Sequence, residues 1–157
     1  MISLSLWLKL RWKIVKDIFK GEIDMSLIEK ISKIDDLGYI DGCSETQIKD
    51  AEKKLGMIFP TEYVEYVKTY GCIDFGATEW TGLNIDGELN TVEATLAEKK
   101  YNNDFPEKYF VLDDYHIDGK KIIVNEAGEV YLLQFDVLKK VCNSISEYLD
   151  ICIRNNS

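Results

Sequence analysis

The chain has 157 residues, 46% hydrophobic and 30% charged with only two prolines, a composition that describes one globular domain able to bury a core rather than a disordered chain. Its formal net charge of -9 argues against non-specific nucleic-acid binding, which needs clustered Lys and Arg, and leaves room for a basic protein partner. Cys43, Cys72, Cys142 and Cys152 show no C-x-x-C spacing, so they read as buried thiols of a reducing cytoplasm rather than as disulfide or zinc ligands.

Residues 1–20 carry Lys9, Arg11, Lys13, Lys16 and Lys20 against Asp17 alone, a net +4 that leaves -13 for residues 21–157. The segment also holds Leu4, Leu6, Trp7, Leu8, Leu10, Trp12, Ile14, Val15, Ile18 and Phe19. Lys9 interrupts the apolar run and no small-residue cleavage site follows, which excludes a signal peptide; the stretch is too short and too charged to span a bilayer. An apolar helical stripe is usually core, so Leu4, Trp7, Leu8, Val15 and Ile18 are expected to dock on the domain with the lysines in water. The alternative is peripheral membrane contact through 1–24, a basic amphipathic helix with two tryptophans. Met25 offers a second start, which divides the chain into a 1–24 extension and a 25–157 domain.

A short helix over about 26–34 follows from Leu27, Ile28, Ile31 and Ile34. Ser44 and Gln47 form a capping box for a helix with the stripe Ile48, Ala51, Glu52, Leu55 and a left-handed stop at Gly56. Pro60 opens the next helix, where its missing N–H costs nothing, and Tyr63, Tyr66, Val67 and Tyr70 recur at helical spacing up to Gly71. Gly76 and Gly82 then punctuate strand and loop, and Thr91 caps a helix to about Tyr101. Three β-rich runs follow, at about 109–116, 121–125 and 129–135, with Asp118-Gly119 and Ala127-Gly128 in the turns between them. Ser144 and Glu147 form a second capping box before a closing helix. Helices, then an antiparallel meander, then a helix make an α+β layout with the helices against one face or edge of a sheet.

The run "SETQIKDAEKKLGMIFPTEYVEYVKTYG" resembles the N-terminal signature of the SUKH superfamily: Glu45, Ile48, Glu52, Leu55 and Gly56, then the Phe59-Pro60 pair, then a helix with Tyr63 and Tyr70 closed by Gly71. "EWTGLN", "TVEATLAEKKYNNDFPEKYFVLDD", "EAGEVYLL" and "SISEYLDICI" resemble the later family elements in the same order, so the likeness covers roughly 26–153. Phe59 stands where Leu is usual, Tyr70-Gly71-Cys72 where Asn-Gly often stands, and the basic extension is additional. The resemblance implies a non-enzymatic binding module. Bacterial members are mostly immunity proteins that neutralise toxins, many of them nucleases; fungal members include a cell-wall assembly regulator that acts as a signalling adaptor. On this likeness Tyr63, Tyr66 and Tyr70 are expected to bury against the sheet with their hydroxyls bonded at its edge.

No catalytic, cofactor or metal site is expected. His116, the sole histidine, falls inside a predicted strand with no cysteine near it in sequence, and G-x-S-x-G, Walker A and G-x-G-x-x-G runs are all lacking. Asp113 and Asp114 point to opposite faces of a regular strand and cannot grip one ion together. The candidates for partner contact are Asp74, Glu79, Trp80, Asp86, Glu88, Asp113, Asp114, Tyr115, Glu126 and Glu129. They form an acidic rim that speeds capture of a basic partner, with Trp80 either a hot spot beside Glu79 or a core residue. Neither Asp113 nor Asp114 is expected to be fully buried.

Overall fold

The computed structural model describes residues 3–157, and their side chains except those of 14–23. In chain order the elements are α1 (Leu4–Ile23), α2 (Leu27–Ser32), β1 (Gly38–Asp41), α3 (Glu45–Leu55), α4 (Thr61–Thr69), β2 (Tyr70–Phe75), β3 (Thr78–Trp80), a short 3-10 turn (Gly87–Leu89), α5 (Thr91–Tyr101), β4 (Tyr109–Asp114), β5 (Lys120–Asn125), β6 (Val130–Gln134), β7 (Val137–Cys142) and α6 (Ile145–Asn155). The seven strands form one antiparallel meander in sequence order, β1 to β7. The fold is therefore α+β with local connections and a closing C-terminal helix.

Local signals start and stop the helices. Ser44 Oγ accepts from Gln47 N while Gln47 Oε1 accepts from Ser44 N, and Gly56 ends α3 at φ +63°. The same reciprocal box, from Ser26 and Glu29, opens α2. At α6 Ser144 Oγ accepts from Glu147 N, but the Glu147 carboxylate accepts from Asn143 N, one residue before the position a box requires. Asn90, not Thr91, caps α5; Thr91 is buried and its hydroxyl belongs to the core.

One face of the sheet carries the main core. Leu27 and Ile31 of α2, the α3 stripe, Tyr63, Tyr66 and Val67 of α4, and Ile145, Tyr148 and Leu149 of α6 pack with Ile73, Trp80, Phe110, Ile122, Val124 and Val130 from the strands. A smaller cluster, Val111, Ile123, Leu133 and Phe105 with Ala94 of α5, occupies the opposite face over β4–β6. Tyr63 and Tyr66 are fully buried and their hydroxyls are bonded, to Thr91 Oγ1 and to the carbonyl of Thr81 (2.9 Å). Tyr70 is also buried, but it opens β2 rather than closing α4. Gly71 thus lies within a strand, and Gly82 packs so close to its carbonyl that a side chain at 82 would collide with it.

Four expectations need correction here. Residues 38–41 and 137–142 are strands that the turn signals did not reveal, because neither shows clean apolar alternation. The predicted strand at 109–116 stops at Asp114, and His116 sits in the turn at φ +53°. Leu4, Trp7 and Leu8 do not dock: they are 75%, 50% and 53% exposed, since α2, α4 and α6 already cover the apolar face of the sheet. Val15 and Ile18, expected to dock with them, lie outside the residues whose side chains are described. Cys43, Cys72 and Cys152 are buried free thiols, whereas Cys142 is only partly buried; burial raises the pKa of all four.

Candidate binding face

Strand pairing brings three of the candidate acids together. Asp74 lies directly opposite Glu79 across β2–β3, and both project from the face that α4 and α6 leave uncovered. Asp114, at the end of β4, points to that same side and pairs in register with Lys121. With Tyr115 and His116 these residues line a shallow depression of about 490 Å³ at the β2–β3 turn. A second depression shares Asp114 and His116 with it and runs on to Glu88, Glu93, Glu98 and Tyr101. The two make one concave acidic surface, bounded by the β2–β3 hairpin on one side and α5 on the other.

The charges on this surface are unevenly matched. Lys121 Nζ is held by Glu98 (3.1 Å) and Asp114 (3.6 Å), so its charge is spent inside the site. Glu93 accepts from the backbone N–H of Gly87. The carboxylates of Asp74, Glu79, Asp86 and Glu88 make neither an ion pair nor a hydrogen bond among the described residues. Like charges directly opposed across a strand pair are destabilising, so the Asp74–Glu79 apposition is held against a local cost. Glycine at 38, the β1 partner of Asp74, leaves room for this carboxylate: a Cβ there would lie 2.5 Å from Asp74 Oδ2.

Asp113 behaves differently from the acid beside it, and the cause is a β-bulge. The register shifts between Val111 and Asp113, so Leu112 and Asp113 both turn toward the helix-covered core and Asp114 is sent outward. Asp113 is only 5% exposed, contrary to expectation. Tyr148 Oη donates to its Oδ2 at 3.0 Å, and Tyr115 Oη lies 3.0 Å from Tyr148 Oη. Because the one O–H of Tyr148 is committed to the carboxylate, Tyr115 Oη donates the second bond. Burial pushes the Asp113 carboxyl up to about 6; the Tyr148 bond opposes this, and Asp114 and Glu79 reinforce it.

Trp80 is fully buried, stacked on Tyr148 with ring centroids 5.8 Å apart and edge-on to Tyr66. It is a core residue rather than an exposed anchor, because β3 alternates and Glu79 takes the outward position. Its indole N–H has no hydrogen-bond partner among the described residues. Glu126 and Glu129 lie at the opposite end of β5 and are committed within the fold. Glu126 accepts from Ile58 N (2.7 Å) and faces Lys108, while Glu129 pairs with Lys140 and Asn125. The site residues absent from the sequence-based set are Glu93, Glu98, Tyr101, His116 and Lys121. Ala94, Ala97, Glu98 and Tyr101 recur at helical spacing on one side of α5, a face legible in retrospect as small residues flanked by acid and an 82% exposed aromatic.

A chain of hydroxyls fixes α5 against β4 and so sets the width of the surface. Tyr63 donates to Thr91, Thr91 to Thr81 (2.9 Å), and Thr81 to the carbonyl of Val111 (2.8 Å), while Thr95 Oγ1 accepts from Val111 N (2.9 Å). Among the described residues no group of three or more His, Cys, Asp or Glu is disposed to hold a metal ion.

The fold is an antiparallel meander with α2, α4 and α6 over one face and, on the other, α5 over a small apolar cluster beside a concave acidic surface. The chain belongs to the SUKH family: the family model SUKH_6, described as SMI1-KNR4 cell-wall, matches residues 45–149. It is also 32% identical over 110 residues to "Uncharacterized protein YnaB" of Bacillus subtilis (strain 168), an alignment covering 68% of this chain and 69% of that protein.

Proposed function

We propose that this protein is a non-enzymatic immunity protein that captures a basic toxin domain on the acidic surface between the β2–β3 hairpin and α5. The observation that carries the proposal is the uncompensated Asp74–Glu79 pair, continuous with Asp114 and Glu88, beside the small apolar cluster under α5 and on the end of the sheet that neither helix layer covers. Family membership supports it, since the SUKH resemblance implies toxin neutralisation among bacterial members. An acidic concave surface accelerates association with a cationic partner and sets carboxylates where a nuclease would seat substrate phosphates. Tyr101 and Tyr115 supply exposed aromatic area at the rim, a residue type enriched in binding energy.

The test is co-expression with the product of the gene immediately upstream, where an immunity protein's toxin is expected. Growth should be restored, and the purified pair should form a complex whose association slows as salt is raised. Rescue lost on reversing Asp74 and Glu79 to lysine places the contact on this surface. Absence of a complex with the neighbouring toxin overturns the immunity reading, and unchanged rescue by the reversed variant overturns the choice of surface.

A further inference from the structure

We infer that α1 is a peripheral membrane anchor that lies flat on an anionic bilayer. The inference is independent of the toxin-binding proposal, because it rests on a different part of the chain. Leu4, Leu6, Trp7, Leu8, Leu10 and Trp12 are all between 47% and 75% exposed, a concentration of apolar surface that the remainder of the protein leaves uncovered. Helical geometry places Leu4, Trp7, Leu8 and Trp12 along one flank and Lys9 and Lys13 along another. Arg11 falls on the apolar flank, but its guanidinium lies 5.2 Å from the centroid of the Trp7 ring, so its stem covers apolar surface while its charge stays at the rim.

Charge decides between a lipid and a protein occupant. From Leu4 to Lys13 every charged side chain is basic, the first turn of α1 has no acid, and the sequence continues the lysine spacing with Lys16 and Lys20. Residues 21–157 carry -13, so this helix is the part of the chain that an anionic surface attracts. Tryptophan prefers the interface between headgroups and acyl chains, where the ring is dry and its N–H is wet. Among the described residues no helix is long and apolar enough to cross a membrane, and a 20-residue helix of roughly 30 Å can bury its apolar flank only by lying along the surface.

The experiment uses the full chain with unilamellar vesicles of phosphatidylcholine, alone or with about 30 mol % phosphatidylglycerol. Tryptophan emission gives a direct readout: Trp80 is already fully buried, so a blue shift on adding vesicles reports Trp7 and Trp12. Co-sedimentation and the blue shift are expected with the anionic vesicles, with binding at least tenfold weaker to the neutral ones. The double variant Lys9→Gln, Lys13→Gln should weaken anionic-vesicle binding by roughly 25-fold, about fivefold for each charge removed. Trp7→Ser with Trp12→Ser should abolish binding and leave the thermal unfolding transition in place, because both side chains are exposed. Failure to bind either vesicle overturns the inference, as does equal binding to both. A concentration-dependent dimer lost in the tryptophan variant assigns α1 to a second copy instead and also overturns it. Toxin rescue by a chain lacking residues 1–24 is a separate readout, so failure of one proposal is distinguishable from failure of the other.

Discussion

On the helix-covered side of β2–β4, Ile73, Trp80 and Phe110 are buried among Tyr66 and Tyr148. One residue along in β2 and β3, on the other side, Asp74 and Glu79 stand in solvent, and Asp114 joins them from the end of β4. The same backbone serves both sides: period-two alternation separates them in β2 and β3, and the bulge in β4 adds Asp114 to the open side. The packed side has the hydroxyls of Tyr63, Tyr66 and Tyr148 satisfied. The open side is the reverse, with like charges opposed across a strand pair and carboxylates left without partners. Stability is concentrated on one surface, which leaves the other free to be tuned for association.

The largest test of that division is Trp80→Ala. Removing a fully buried indole stacked on Tyr148 should cost about 3–5 kcal/mol in chemical denaturation. A loss under about 1 kcal/mol would mean that Trp80 is not holding the two layers together.

Next comes pH. The native carboxyl of Asp113 titrates near 6, above its ordinary value of 3.8, so between those values the native state binds more protons than the unfolded chain. Stability contributed by the protonated form should therefore fall as pH rises from about 4 to 7, by on the order of 3 kcal/mol. Asp113→Asn, which keeps an acceptor for Tyr148 Oη, should flatten this slope. A wild-type curve that rises through the same window would place the ionised carboxylate in a more favourable setting than its burial indicates.

On the open side, Asp74→Lys with Glu79→Lys should slow toxin association about tenfold at low salt, with a much smaller change in dissociation and no loss of fold. Glu126→Gln, at the far end of β5, is the matched control and should leave association unchanged. Equal effects from both ends would replace a localised surface with a diffuse field. The smallest effect expected is from Asp74→Asn, which relieves the cross-strand repulsion and should raise stability by roughly 0.5 kcal/mol while weakening capture. A destabilised Asp74→Asn would show that the carboxylate serves the fold after all.

Features set by local chemistry were legible from the chain. The boxes at Ser44 and the stop at Gly56, the helical tyrosines 63 and 66, the hairpin turns at Asp118-Gly119 and Ala127-Gly128, and the order of elements all depend on residues a few positions apart. Asp74 and Glu79 were identifiable as exposed acids because alternation and turn proximity suffice for that, whereas the same reading failed for Asp113, which is buried. The edge strands β1 and β7 escaped detection, since an edge position relaxes the apolar pattern that marks a strand.

The sequence by itself determined the α+β class, the SUKH resemblance, the acidity of residues 21–157 and the basic character of α1, because these follow from residue type and short-range spacing. Tertiary structure alone decided which acids act together. The bulge in β4 decided which of Asp113 and Asp114 faces the core, since one extra residue in a strand reverses the phase of every side chain after it. Register set Asp74 against Glu79, the hydroxyl chain through Thr91 and Thr81 brought Glu98 of α5 over Lys121, and Glu126 was drawn to the backbone N–H of Ile58, 68 residues away in sequence. Each of these is a pairing between distant segments, and its geometry exists only once the layers have packed.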